Sequence, residues 1–185
     1  ATVTNNYINT TATGIGIVAS IYGVISDNVF YNPGVSAIIS SDPADIVGNR
    51  FEISNYNPSD VIVILQSSDP QTFSGNHFLI VNAGNTVAVT CLQCTTDRMT
   101  ITGNTFQFET GHAHIGIDVT NRQGMTITGN TFVHYFGTAG SIAVEATGLN
   151  YSVISGNFFE IFDLAINITN SVFININGNT FNACI

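Results

Sequence analysis

The chain of 185 residues has a formal net charge of −9, and its basic residues are three arginines with no lysine. Only 8% of its residues are charged, against roughly 25% in typical soluble domains. Without clustered Lys or Arg the chain has no electrostatic footprint for nucleic acid or an anionic membrane, so neither is expected as a partner. The length predicts one domain over residues 1–185, and because the repeat pattern starts in mid-unit we expect that domain to be part of a longer chain.

An asparagine, usually preceded by Gly, recurs along the chain at intervals of 22, 21, 27, 28, 26, 27 and 22 residues. The string ITGNTF, for example, occupies Ile101–Phe106 and again Ile127–Phe132. A mean spacing of about 25 residues lies in the range of solenoid repeats. Each repeat shows short period-2 runs, typical of strands, and none shows a helical period. In chain order these asparagines are Asn6, Asn28, Asn49, Asn76, Asn104, Asn130, Asn157 and Asn179.

Two apolar columns flank the asparagine in every repeat. The residue three places before it is always apolar, and the residue two places after it is apolar and is Phe in seven of eight repeats. This pattern predicts two inward side chains on either side of a tight corner, where Gly and Asn tolerate positive φ. We expect the asparagine amides to bond to one another as a ladder. The second column consists of Ile8, Phe30, Phe51, Phe78, Phe106, Phe132, Phe159 and Phe181.

A third strand is predicted further along each repeat. Alternating runs support it at residues 87–91, 115–119, 142–146 and 164–168. Three strands per coil predict an all-β fold, namely a right-handed single-stranded parallel β-helix of about eight coils with an Asn ladder at one corner. Consecutive coils should rise by ~4.8 Å.

The repeated I-x-G-N-x-F pattern resembles that of the right-handed parallel β-helix, or pectate-lyase-like, superfamily. It is most like the β-helix segments of bacteriophage tailspikes and tail fibres, and the likeness covers almost the whole chain. The resemblance implies a polysaccharide partner and a location in the virion tail or outside the cell. The calcium-binding acids and catalytic arginine of the pectate-lyase type of site are not matched residue by residue, so no metal and no cofactor is expected.

Several apolar residues are predicted to point outward from the coils. A lone solenoid should not expose such rows, whereas three solenoids side by side would bury them, so a homotrimer is expected. The residues concerned are Leu79, Val81, Val133, Ile62 and Ile64.

Asp118 and Glu145 are the predicted catalytic pair. Each stands 12 residues before its corner asparagine, so both should occupy the same outward position on adjacent coils, with Cα atoms ~5 Å apart. Paired carboxylates suit glycoside hydrolysis, although two solvated acids that happen to stack would give the same pattern. The same count assigns Gly16, Ile64 and Asn167 to this position, and Asn167 is a candidate substrate contact.

Four more residues are candidate substrate contacts. Glu109, His112 and His114 lie in the segment leading into the third strand, where a His can assist proton transfer or bind a sugar hydroxyl. Arg122, in a turn predicted to be equivalent to that of Arg98, could bind an acidic sugar. The alternatives are a metal site of Glu109 with a His, for which the spacing is loose and the ligand count incomplete, polar loop residues, and turn salt bridges.

The sequence therefore predicts a carbohydrate-engaging β-helix of a viral tailspike that recognises a host surface polysaccharide and, if the carboxylates are catalytic, cleaves it. Three alternatives stay open. The chain could be a non-catalytic structural or adhesive shaft, or a cellular polysaccharide lyase or epimerase relative. Outward Thr pairs such as Thr100 with Thr102 and Thr126 with Thr128 also resemble ice-binding surfaces, although Asp45 and Val47 interrupt the array.

Overall fold

The computed structural model describes residues 1–9, 15–19, 22–31, 36–54, 61–66, 71–81, 90–95 and 97–184. Within these ranges the chain forms 23 β-strands, numbered below in chain order, and no helix. The strands assemble into three sheets of eight, eight and seven strands, and every strand pair is parallel. The predicted parallel β-solenoid is therefore confirmed. Over the same ranges, membrane-spanning helices of sufficient length and hydropathy are absent.

Sheet A precedes each asparagine corner and contributes the first apolar column to the core. Its outward positions carry mainly Thr and Ser, with Thr72, Thr100 and Thr126 in register. Sheet A consists of β1 (Thr2–Thr4), β4 (Gly23–Ser26), β7 (Ala44–Val47), β10 (Thr72–Ser74), β13 (Thr100–Thr102), β16 (Thr126–Thr128), β19 (Asn150–Ser155) and β22 (Val172–Asn177).

Sheet B follows each corner and contributes the phenylalanine column. Its central strands alternate between buried and partly exposed residues, as Thr105–Glu109 does. Sheet B consists of β2 (Tyr7–Asn9), β5 (Val29–Tyr31), β8 (Arg50–Ser54), β11 (His77–Val81), β14 (Thr105–Glu109), β17 (Thr131–His134), β20 (Phe158–Glu160) and β23 (Thr180–Asn182).

Sheet C closes each coil. One of its strands differs from the prediction, because the strand expected at residues 87–91 is Thr90–Cys94, and residues 87–89 lie outside the described ranges. Sheet C consists of β3 (Ile15–Ala19), β6 (Ser36–Ser40), β9 (Val61–Leu65), β12 (Thr90–Cys94), β15 (Ile115–Thr120), β18 (Ile142–Thr147) and β21 (Leu164–Thr169).

The phenylalanine column forms a continuous stack through the core. Phe106, which is fully buried, lies between Phe78 and Phe132, with ring centroids 5.0 and 4.7 Å apart. The rings are nearly parallel because one residue of each coil is in register with its equivalent in the next. Such pairs contribute ~0.5–1.5 kcal/mol beyond the burial of their area. The repeated Phe therefore fills one core position once per coil.

The predicted asparagine ladder is also confirmed. The side-chain oxygen of Asn104 accepts hydrogen bonds from the backbone N–H and the side-chain amide of Asn76, at 2.9 and 3.1 Å. The side-chain amide of Asn104 donates to Phe73 O and to Asn130 Oδ1, both at 2.9 Å. The same pattern runs from Asn6 to Asn179. Each buried amide thus satisfies backbone groups that the sharp corner would leave without a partner.

The predicted outward apolar rows are only partly present. Ile62 is fully buried, so its assignment as an outward residue was wrong. The reason is that β9 buries Ile62 and Val63 in succession, which breaks strict alternation. In sheet B, Leu79 lies between Glu52 and Gln107 of the adjacent strands. Its outward row therefore mixes apolar and polar side chains.

Candidate functional site

Asp118 and Glu145 are direct neighbours across β15 and β18, as predicted. Both are partly exposed on the outer face of sheet C, and adjacent strands place their Cα atoms ~4.8 Å apart. Gln93 flanks Asp118 on one side, and Asn167 flanks Glu145 on the other. We call these four side chains the polar strip. Two carboxylates and two amides thus stand in one row on four consecutive strands.

The row continues toward the N-terminus as apolar residues. Ile64, Ile39 and Val18 follow Gln93 in register. The count of 12 residues had placed Gly16 in this row, and that assignment was wrong. Val18 stands only ten residues before its corner asparagine, because the first repeats return from sheet C to the corner through a shorter connection.

The contacts around Asp118 are polar and long. Its two carboxylate oxygens accept from Gln93 Nε2 at 3.4 Å and from the Thr120 hydroxyl at 3.3 Å. Thr120 starts a second outward row beside the strip, in register with Thr147 and Thr169. The hydroxyls of Thr147 and Thr169 lie 2.9 Å apart. Because bonds of 3.3–3.4 Å are weak, the Asp118 carboxylate keeps capacity to accept stronger hydrogen bonds from a ligand.

The predicted contacts Glu109, His112 and His114 lie at the other end of β15, where sheet B turns into sheet C. Glu109 ends β14 and accepts a hydrogen bond from Gln107. His112 is partly exposed, whereas His114 is fully buried. The His114 side chain therefore does not reach the surface, and the structure does not bring it into the polar strip.

His114 and His134 belong instead to a buried aromatic cluster around Phe108. Their ring centroids lie 5.0 and 5.8 Å from that of Phe108. The His134 Nε2 donates to His112 O at 3.0 Å, and its Nδ1 accepts from the Gly137 N–H at 3.1 Å. Burial, together with the neighbouring histidines, lowers the pKa of His114 to about 3, and burial lowers the pKa of His134. Both rings are therefore neutral in the fold at neutral pH.

Acidification is expected to destabilise the fold through this cluster. The unfolded chain takes up protons on its histidines near pH 6.5, whereas His114 in the folded state resists protonation down to about pH 3. The contribution of neutral His114 to the free energy of unfolding is therefore complete well above pH 6.5 and is lost as the pH falls below that value. Between pH 7.5 and 5.5 the loss is about 1.4 kcal/mol. Urea denaturation at the two pH values measures this loss. A His114→Gln variant should lose less stability over the same interval, and equal losses in both proteins would contradict the assignment.

Arg98 and Arg122 both lie where sheet C turns into sheet A. Hydrogen bonds from Arg98 N to Gln123 O and from Gly124 N to Asn150 O show that Arg98 is equivalent to Gly124. Arg122 therefore stands two positions earlier in its coil than Arg98 does. Neither guanidinium forms a salt bridge to any described residue, and the Nε of Arg122 is buried without a hydrogen-bond partner. Turn salt bridges therefore do not account for these two arginines.

Sequence reasoning missed an aromatic pair at the same corner. Tyr151 and Phe173 occupy the position equivalent to Arg98 and Gly124 in the next two coils. Their rings stack with centroids 4.9 Å apart and an interplanar angle of 13°. Both have positive φ, 49° and 56°, and exposed side chains. For a bulky residue the left-handed region costs ~1–2 kcal/mol. The one available signal was that Tyr replaces the glycine found at this turn in the preceding repeat.

The described residues bring together no group of three or more His, Cys, Asp or Glu side chains that could hold a metal ion. The fold places the chain among the parallel β-solenoid proteins. No protein-family model matches the chain, and no curated protein matches it in sequence.

Proposed function

We propose that this chain is a carbohydrate-engaging β-helix, a pectate-lyase-like segment of a homotrimeric viral tailspike that contacts a host surface polysaccharide outside the cell. The polar strip is its sugar-binding surface. The observation that carries the proposal is the row of two carboxylates and two amides, in register and partly exposed on one face of sheet C.

The chemistry of the strip suits sugar hydroxyls. Carboxylates accept hydrogen bonds from hydroxyls, and amides both donate and accept, so alternating hydroxyl groups find partners along the row. The adjacent row of Thr120, Thr147 and Thr169 adds hydroxyl groups, each of which can donate and accept a hydrogen bond. Polyanionic ligands do not suit the polar strip, because Asp118 and Glu145 would repel them and the chain has only three basic residues to compensate.

The surroundings support binding by the strip more than hydrolysis. A glycosidase needs one carboxyl with a raised pKa in a site that excludes water. Asp118 and Glu145 stand partly exposed on the face of a sheet, and the connections at the ends of β15, residues 110–114 and 121–125, are short. Cleavage is thus the second candidate activity, and the paired carboxylates are what favours it.

The homotrimer is supported by the apolar end of the same outward row. Val18, Ile39 and Ile64 are in register on three consecutive strands, and 63% of Val18 is exposed. An apolar row of this kind fits burial against an equivalent solenoid. The polar strip, at the other end of the row, stays available to a ligand in such an arrangement.

Combined replacement Asp118→Asn with Glu145→Gln is expected to weaken polysaccharide binding by at least tenfold, because hydrogen bonds to charged groups contribute ~1.5–3 kcal/mol each. The measurement is binding of the wild type and the variant to a panel of purified bacterial surface polysaccharides. Release of reducing ends by the same two proteins reports cleavage. The control is Asp45→Asn with Glu52→Gln, which makes the same charge change on sheets A and B.

Two results would overturn this proposal. A wild type that binds no member of the panel leaves a structural shaft as the function. A double variant that binds as tightly as the wild type, with the control unchanged, removes the polar strip from the binding surface. Oligosaccharide release that the double variant loses would instead establish the two carboxylates as catalytic residues.

A further inference from the structure

The corner between sheets C and A carries two adjoining depressions. One, of about 510 Å³, is lined by Arg98, Gln123, Gly124 and Tyr151. The other, of about 390 Å³, shares Gln123. Both depressions are open to solvent. The second depression is lined by Asp97, Asn121, Arg122, Gln123, Gly148, Asn150 and Asn170.

The aromatic side of the first depression is not required by the fold. Gly124 adopts a φ of 69° at this turn, which glycine does without strain, and Tyr151 adopts 49° at the equivalent position one coil later. Tyr151 is 64% exposed, so it adds little to the core. The left-handed conformation belongs to the turn, since Arg98 and Phe173 adopt it as well, and a bulky exposed residue kept there in spite of the strain is a candidate functional group. Gly124 has no side chain, and the Arg98 side chain lies over it, with Cγ 3.1 Å from the place that a Cβ would take. Arg98, Gly124 and Tyr151 therefore line one depression.

The corner also concentrates positive charge in an acidic chain. Two of the three arginines of the sequence lie here, in a chain with a net charge of −9. No described carboxylate pairs with either guanidinium. Asp97, the acid in the second depression, instead accepts from the Gln123 N–H at 3.0 Å and from its side-chain amide at 3.4 Å. The Arg122 Nε, buried without an acceptor, is a second sign of an incomplete site.

We infer that this corner is a second saccharide site, which binds a sugar unit bearing a carboxylate or sulfate group. The Tyr151 ring packs against the apolar face of the sugar ring, and Arg98 and Arg122 bind the anionic group. Asp97, Gln123 and Asn150 supply acceptors and donors for hydroxyls. The inference rests on the proposed function, to which it adds the charge of the polysaccharide.

The polar strip and the corner are continuous along sheet C. The threonine row beside the strip ends each strand at Thr120, Thr147 and Thr169. The next residues, Asn121, Gly148 and Asn170, line the corner depression. A polysaccharide crossing this edge would therefore place neutral sugars on the acidic strip and an acidic sugar beside the arginines, in agreement with the charge of each surface.

The test uses the whole 185-residue chain and three probes of equal length: an oligogalacturonate, a sulfated dextran oligosaccharide and a neutral dextran oligosaccharide. Calorimetry measures each Kd at two salt concentrations. The wild type is expected to bind at least one of the two anionic probes, more weakly at high salt, and Tyr151→Gly and Arg98→Gln should each weaken that binding by at least tenfold. Preference for carboxylate over sulfate, or the reverse, identifies the anionic group.

Matched controls are available on sheet B. Arg50→Gln removes the third arginine, and Tyr7→Ala removes another exposed ring that stacks on a neighbour, Tyr31. Both should bind the anionic probes like the wild type. Tyr151→Gly should keep or raise the melting temperature, because glycine relieves the positive φ. Arg98→Gln, at an exposed side chain, is a second variant that keeps the fold.

The outcomes separate this inference from the proposed function. The corner site is supported if the Tyr151→Gly and Arg98→Gln variants lose binding of the anionic probes while the Asp118→Asn, Glu145→Gln variant keeps it. A wild type that binds a neutral polysaccharide through the strip but neither anionic probe overturns the corner site and leaves the proposed function standing. Equal loss in the Arg50→Gln control would show attraction by charge alone and also overturn the site.

Discussion

Asn104→Ala is expected to lower the free energy of unfolding by roughly 2–6 kcal/mol. Asn104 is 1% exposed, and its side chain makes four hydrogen bonds, to the Asn76 N–H, the Asn76 amide, Phe73 O and Asn130 Oδ1. Removing one partner of a buried hydrogen bond leaves the other group unsatisfied, which costs ~1–3 kcal/mol for each such group. Alanine leaves the Asn76 N–H and the Phe73 carbonyl buried without this hydrogen-bond partner.

Urea denaturation of the wild type and the variant measures the loss. Thr102→Ala is the matched control, since it changes the same corner on a partly exposed side chain. That substitution should alter the free energy of unfolding by no more than ~0.5 kcal/mol. A loss below 1 kcal/mol in Asn104→Ala would mean that the ladder is not a main source of stability.

Phe106→Ala is expected to cost ~3–5 kcal/mol, the usual range for removing a buried ring. The Phe106 ring is fully buried and lies between those of Phe78 and Phe132. The cavity cannot close easily, because both neighbouring rings are fixed at the spacing of the coils. Two stacking contacts are lost with the ring, which places the expected loss toward the upper end of the range.

The same denaturation experiment tests this second prediction. Gln107→Ala changes the next residue, which points outward from the same strand, and should cost less than ~1 kcal/mol. Phe106→Leu, which keeps most of the buried volume, should fall between the two. Equal stability of Phe106→Ala and Gln107→Ala would contradict the role given to the phenylalanine stack.

The fold could be predicted from the sequence because every coil must solve the same geometric problem. Each coil turns at the same corner, so the asparagine and the two apolar residues around it recur at fixed distances from one another. The intervals between repeats vary, but the short stretch around Asn104 does not, and register within sheets A and B follows from it. The adjacency of Asp118 and Glu145 was readable for the same reason, because both repeats have equal lengths between sheet C and the corner.

The direction of side chains far from the corner was harder to predict from the sequence. The shorter connection of the first repeats moved Val18, not Gly16, into the outward row. Two consecutive buried residues in β9 turned Ile62 inward. The burial of His114 depends on packing against Phe108, which no local pattern encodes. In each case the deciding quantity was a loop length or a contact between coils.

The sequence by itself determined the solenoid, its asparagine ladder, its phenylalanine stack and the pairing of two acids on sheet C. These features depend on residues at a fixed number of positions from the corner asparagine, so their place in the coil follows from the sequence. Only the tertiary structure decided that Tyr151 stands out beside Gly124 and Arg98, and that neither corner arginine has an acidic partner among the residues that the structure describes. Those facts depend on how separate coils stack, since the side chains that meet at the corner come from repeats more than 20 residues apart.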